Sequence, residues 1–92
     1  MRTISILGST GSIGRQTLDV AENLGLRVAA LTCGTQLDRM EAQCRKFRPL
    51  LAVMAGEDLA QALRDRLSDL PEIRVASGEA GLLEAAALPE AD

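Results

Sequence analysis

The string Gly8-Ser9-Thr10-Gly11-Ser12-Ile13-Gly14, set directly after the apolar run Ile4-Ser5-Ile6-Leu7, carries the strongest chemical signal in this chain. Glycines at a spacing of three allow a sharp turn from strand into helix, and they leave the backbone N–H groups uncovered for a close anionic ligand. The hydroxyls of Ser9, Thr10 and Ser12 add further donors. Such a turn is a phosphate cradle, and the chain reads as the nucleotide-binding half of something larger. Glycine-rich turns also serve plain packing, so it is the flanking strand and helix that make the phosphate reading specific. The motif is neither G-x-x-x-x-G-K-[ST] nor the tighter G-x-G-x-x-G, and no lysine follows it to reach a terminal phosphate. Nucleoside-triphosphate hydrolysis is disfavoured on that ground.

In dinucleotide-binding folds the end of the second strand carries an Asp or Glu that binds the free ribose hydroxyls of NAD. Here the corresponding stretch is Thr32-Cys33-Gly34-Thr35-Gln36, with no acid. Without that carboxylate a 2′-phosphate meets no repulsion, and the helix start after Gly34 offers N–H donors to hold one. NADP is therefore expected over NAD, against the plainer reading of a capped helix start. Arg39, one turn into that helix, could reach the same anion or simply be solvated. Arg15 is equally ambiguous.

Other chemistries lack their residues. The chain has no histidine, tyrosine or tryptophan, which removes Ser/His/Asp and Cys/His constellations and any imidazole-completed zinc site. Lys46 is the sole lysine and falls at the charged end of an expected helix, where a solvated amine is the ordinary outcome. Cys33 and Cys44 form no C-x-x-C pair and read as reduced, buried or half-buried thiols. Glu57, Asp58, Glu79 and Glu84 suit helix starts or exposed faces, and none is assigned to a metal. No catalytic group is expected in this segment.

The elements that must position the cradle alternate regularly. Residues 4–7 read as a first strand, followed by a helix from about Ser12 with Ile13, Thr17, Val20, Ala21 and Leu24 at helical spacing until Gly25. Residues 27–32 form a second strand, apolar enough to be covered on both faces. Thr35 is expected to cap the next helix, with Asp38 completing an acidic capping box and Leu37, Met40, Cys44 and Phe47 on one face. Arg45, Lys46 and Arg48 suit its last turn and Pro49 stops it. Residues 50–54 read as a third strand. Glu57 and Asp58 open a helix with Leu59, Leu63, Leu67 and Leu70 inward, closed by Pro71. Residues 73–76 suggest a fourth strand, and Leu82, Leu83, Ala86 and Ala87 a last helix running toward Pro89.

This β-α rhythm is that of a Rossmann-like doubly wound parallel sheet, about four strands alternating with helices, here truncated. At 92 residues the chain is one domain at most and short for a two-substrate enzyme. The fourth strand is short and weakly apolar, so it is expected to lie outward of the third. That order, 4-3-2-1, leaves the first strand as an open edge through which the isolated chain is expected to self-associate. A formal charge of −3 with acids and bases interleaved argues against nucleic acid. No apolar run approaches membrane-spanning length, and Met1-Arg2-Thr3 runs straight into the first strand, so the expected address is the cytoplasm.

The string from Ile6 to Gly14, followed by Thr17-Leu18-Asp19-Val20, resembles the amino-terminal signature of the 1-deoxy-D-xylulose 5-phosphate reductoisomerases. The likeness continues through Arg39-Met40, Gln43-Cys44, the Pro49 turn and Ser77-Gly78-Glu79-Ala80-Gly81-Leu82, essentially the whole chain. The resemblance implies an NADPH-binding segment of an enzyme that makes 2-C-methyl-D-erythritol 4-phosphate in non-mevalonate isoprenoid biosynthesis. It implies that Thr10, Gly11, Ser12 and Ile13 wrap the diphosphate and that Gly34, Thr35 and Gln36 lie along the adenosine ribose and its phosphate; Gly8, which opens the turn, is counted with the cofactor-binding residues. Family members commonly have lysine and asparagine where this chain has Thr35 and Gln36. The resemblance also places the Mg or Mn ligands, the sugar-phosphate site and the catalytic groups beyond Asp92. The segment alone is then expected to be inactive. The alternative is a stand-alone nucleotide- or partner-binding module without catalysis.

Overall fold

A computed structural model describes residues 3–88. Strands and helices alternate throughout: β1 (Thr3–Leu7), α1 (Ser12–Leu24), β2 (Arg27–Thr32), α2 (Leu37–Phe47), β3 (Leu51–Met54), α3 (Glu57–Arg66), β4 (Arg74–Ser77) and α4 (Gly78–Ala86). The strands form one parallel sheet in the order β1-β2-β3-β4, so the fourth strand does lie outward and β1 is a sheet edge among the described residues. The architecture is the expected Rossmann-like α/β fold. The approach of the last helix to Pro89 and the Met1-Arg2 leader fall outside the described residues.

Side-chain alternation divides the core between the two faces of the sheet. One face packs Ile6, Val28, Leu31, Ala52, Met54 and Val75 against Leu18 and Ala21 of α1, Met40 and Cys44 of α2, and Ala60 and Leu63 of α3. The other packs Ala30, Leu51 and Val53 against Ala85 of α4. Three helices thus cover one side and α4 the reverse. In β2 the register jumps, because Ile4 pairs with Val28 but Ser5 pairs with Ala30. Ala29 is the extra residue, and this bulge lets Val28 and Leu31 share a face.

Three expectations are corrected in detail. On α1 the buried residues are Gly14, Leu18 and Ala21, whereas Ile13, Val20 and Leu24 are exposed. Two stripes of helical period run side by side here. The stripe of Gly14, Leu18 and Ala21 packs inward because at Gly14 the backbone of the glycine turn comes too close for a larger side chain. On α4 the same rule buries Gly81 and Ala85 and leaves Leu82 and Leu83 outside. Thr35 does not cap α2; Gln36 holds the cap position without a side-chain bond, the Thr35 carbonyl accepts the Leu37 N–H at 2.9 Å, and Asp38 pairs with Arg66. An arginine on α3 has outcompeted the helix end for that carboxylate. Leu67 and Leu70 are buried as expected, though in the turn beyond α3.

Candidate functional site

The glycine turn is held rigidly by the second βα unit. The Ser9 N–H donates to the Thr32 carbonyl at 2.7 Å, and the Gly8 N–H donates to Thr32 Oγ1 at 3.0 Å. From α2, Gln43 Nε2 donates to the Ser9 carbonyl at 2.8 Å and Arg39 Nη1 reaches the Thr10 carbonyl at 3.4 Å. The Gly11 N–H closes the turn onto the Gly8 carbonyl at 3.2 Å. Gly8 itself has φ +77°, a conformation that favours glycine. A Cβ on Gly14 would stand 2.2 Å from the Gly8 carbonyl oxygen, so only glycine lets α1 begin this close to the turn.

These bonds decide which donors remain. The amides of Gly8, Ser9 and Gly11 are spent on the turn, whereas Ser12, Ile13 and Gly14 open α1 and have no acceptor within the helix. With the helix dipole behind them, they favour an anion over the exposed backbone of Gly11, Ser12 and Ile13. The hydroxyls contribute less than their number suggests. Ser9 is fully buried and Thr10 nearly so, which leaves Ser12 as the exposed hydroxyl of the three. Thr10 turns its side chain toward the Cys33 thiol.

Two hollows meet at Gly8. One, of about 560 Å³, runs along the outer edge of β1 past Ile4, Ser5, Leu7, Ser12 and Ile13. The other, of about 410 Å³, lies at the carboxyl ends of the strands and brings Gly8 together with Thr32, Cys33, Gly34, Met54 and Glu79. Gly34, Thr35 and Gln36 are exposed, and a Cβ at Gly34 would meet nothing within 4 Å. The structure therefore sets Gly34 across a cleft from the glycine turn, whereas Thr35 and Gln36 are exposed and do not line it. Met54, Ala55, Gly78 and Glu79 also line this cleft. They were not singled out for a site because they come from the ends of β3 and β4, which only the sheet brings together; the Gly-Glu pair opening α4 was their one visible signal.

Neither thiol is poised for chemistry. Burial pushes Cys44 up to about 12, with lesser contributions from Cys33 and Glu41. Burial also raises Cys33, partly opposed by hydrogen bonds from the Gln36 backbone and the Thr10 side chain. The Cys33 thiol donates instead to Met54 Sδ at 3.4 Å. Among the described residues no three Asp, Glu, Cys or His side chains gather as a metal set.

A sequence profile of the 1-deoxy-D-xylulose 5-phosphate reductoisomerases matches residues 4–92. The chain belongs to the reductoisomerase family. The reductoisomerase of Moorella thermoacetica is 51% identical over 89 residues, which cover 95% of this chain and 23% of that protein. A crystal structure of DOX-P reductoisomerase in complex with magnesium superposes with a TM-score of 0.92 at 28% identity, over 100% of this chain and 24% of that one. The Zymomonas mobilis reductoisomerase in complex with NADPH gives 0.88 at 33%, over 97% and 24%. This chain thus spans about a quarter of the length of the reductoisomerases that it matches.

Proposed function

We propose that this chain is the amino-terminal, NADPH-holding part of a 1-deoxy-D-xylulose 5-phosphate reductoisomerase. The observation that carries this reading is the pinned glycine turn, which aims the first-turn amides of α1 at open space beside two hollows meeting at Gly8. Ser12 and Ile13 would hold the diphosphate through their amides, with Gly8 and Gly11 shaping the floor and Thr10 bracing it from beneath. Gly34, Thr35 and Gln36 would flank the adenosine ribose. Bound NADPH would supply a hydride, and the residues of this chain would bind and orient it.

The NADPH printed for the Zymomonas mobilis relative supports the cofactor assignment. The magnesium printed for another relative finds no donor set among the described residues, so metal and sugar-phosphate binding are proposed for the whole enzyme only. In that enzyme the activity is the NADPH- and Mg- or Mn-dependent conversion to 2-C-methyl-D-erythritol 4-phosphate, and these 92 residues by themselves turn over no substrate. No described helix is long and apolar enough to cross a membrane, and we place the enzyme in the cytoplasm. The isolated chain self-associates through the open β1 edge, where Leu7 is 60% exposed.

The test is a titration of the chain with NADPH, followed by cofactor fluorescence and by thermal shift. Saturable binding that lifts the melting temperature is expected. A flat titration refutes the reading, and turnover by the purified chain refutes its inactivity.

A further inference from the structure

One cation in the first turn of α2, Arg39, has no carboxylate to neutralise among the described residues. Arg45, Lys46, Arg48, Arg64, Arg66 and Arg74 all pair with carboxylates. Arg39 pairs with none among the described residues, and its single hydrogen bond is the long one to the Thr10 carbonyl. That contact uses one of five guanidinium donors, and at 3.4 Å it is weak. It nevertheless holds the guanidinium beside the glycine turn, on the helix that begins directly after the exposed Gly34, Thr35 and Gln36. Arg15, another cation near the turn without a carboxylate partner among the described residues, lies instead in the groove between α1 and α2 beside Ala42 and Phe47.

The surrounding acids are arranged to leave that charge available. Asp38, adjacent in sequence, is turned away and paired with Arg66. Glu41 is held by Arg45 and Arg66. Glu79 enters the cleft from α4, on the side of Met54 and Leu82. No acid ends β2, where a carboxylate would bind free ribose hydroxyls.

We infer that Arg39 is the residue that discriminates NADPH from NADH, its guanidinium binding the 2′-phosphate of the adenosine ribose. The inference rests on the cofactor reading above and adds the group responsible for specificity. A guanidinium presents paired donors to a phosphate, and a charge-assisted pair is stronger than the bonds the neutral amide of Gln36 or hydroxyl of Thr35 could make, although Arg39 is exposed. Its weak tether to Thr10 is given up for the stronger acceptor.

The test titrates NADPH, NADH and adenosine 2′,5′-bisphosphate against the unsubstituted chain, Arg39→Met and Arg39→Lys, with circular dichroism on each. Arg39→Met is expected to weaken NADPH and the bisphosphate by about tenfold to a hundredfold while moving NADH by no more than about twofold. Arg39→Lys recovers part of the preference, because it keeps a cation without the planar fork. The preference of the unsubstituted chain shrinks as salt is raised. Equal losses for both dinucleotides in Arg39→Met would make Arg39 a mere brace for the turn and overturn the inference. So would a Lys variant indistinguishable from Met, or an unsubstituted chain that binds both dinucleotides alike; in that last case the cofactor reading itself survives. Failure of the unsubstituted chain to bind either one overturns both.

Discussion

Replacing Gly14 by alanine tests the claim that the close seat of α1 on the glycine turn is what builds the cradle. The added Cβ would lie 2.2 Å from the Gly8 carbonyl oxygen, 2.8 Å from Ser9 Cα and 2.9 Å from the Ser9 carbonyl carbon, against ordinary contact from 3.4 Å. All three are backbone atoms and cannot swing aside. The turn is also fastened by Thr32 and Gln43, so relief must come from lifting α1 or breaking those bonds. Overpacking of this kind costs roughly 1–3 kcal/mol, and the better helix propensity of alanine returns up to about 1 kcal/mol. A net loss of about 1–2 kcal/mol in a domain this small lowers the melting temperature by on the order of 5–15 °C. Gly11→Ala is the control, because its Cβ would meet the Gly8 oxygen at 3.6 Å, an ordinary contact. It should cost less than about 1 kcal/mol, chiefly through the poorer helix cap. Thermal melts of both variants by circular dichroism, with NADPH titrations alongside, decide the matter. If Gly14→Ala melts with the unsubstituted chain, or Gly11→Ala is the worse of the two, the close seat does not hold the site together.

Thr32→Val keeps the shape but deletes the acceptor of the Gly8 N–H, so urea unfolding should show a loss of about 1–2 kcal/mol together with weaker NADPH binding; an unchanged midpoint would show the bond to be dispensable. Because folded Cys44 keeps its proton to about 12 while an unfolded thiol ionises near pH 8.5, the unfolded state sheds its proton first and stability falls as pH rises through that window. Cys44→Ala should start less stable but show a shallower alkaline decline, and an unaltered slope would refute the assignment. At the acid end Asp69, held below the usual carboxylate range by Arg45, and Glu57, held down by Ser77 and Arg64, contribute stability that is present above about pH 4 and lost as pH falls through their lowered values. Arg45→Gln should make that acid decline shallower, and with no histidine the plateau between about pH 5 and 8 stays flat in both. Leu7→Lys puts a charge on the outermost strand and should shift sedimentation toward monomer without lowering the melting temperature; an oligomer that persists would place the contact elsewhere.

The parts of the fold that could be read from the chain are those set by local chemistry. Strand β2 falls where its apolar run does, α1 stops at Gly25, and Pro49 separates α2 from β3, because each boundary follows from the residues standing at it. The inward faces of α1 and α4 were harder. Ile13, Val20 and Leu24 carry more apolar surface than Gly14, Leu18 and Ala21 together, yet the latter face inward because the glycine turn lies too close to Gly14 for any side chain, as β3 and β4 do to Gly81 on α4. The cap of α2 was misread for a related reason: Asp38 is captured by Arg66, a partner 28 positions away. At the candidate site, the glycine turn between a strand and a helix was legible as a motif. Its bracing was not, since Thr32, Arg39 and Gln43 reach the turn across 24 to 34 positions.

The sidedness of the helices links the fold to the site. Each step from β1 to β4 moves one place across the sheet with its helix on the same face, as right-handed crossovers require. Helix α4 lies on the opposite face, packed under Ala30, Leu51 and Val53. A right-handed crossover through that face steps in the reverse direction, toward β1, whose outer edge is unpaired among the described residues. The hollow of about 560 Å³ lies along that edge and borders the first turn of α1. In open parallel sheets the crevice for a dinucleotide forms where the chain reverses its direction of winding, at the carboxyl ends of the strands. The glycine turn of this chain stands at the carboxyl end of β1, with the cleft lined by Gly34 on one side of Gly8 and the β1 edge on the other. A strand pairing along the outer edge of β1 would extend the sheet and wall the hollow beside the first turn of α1 in one move.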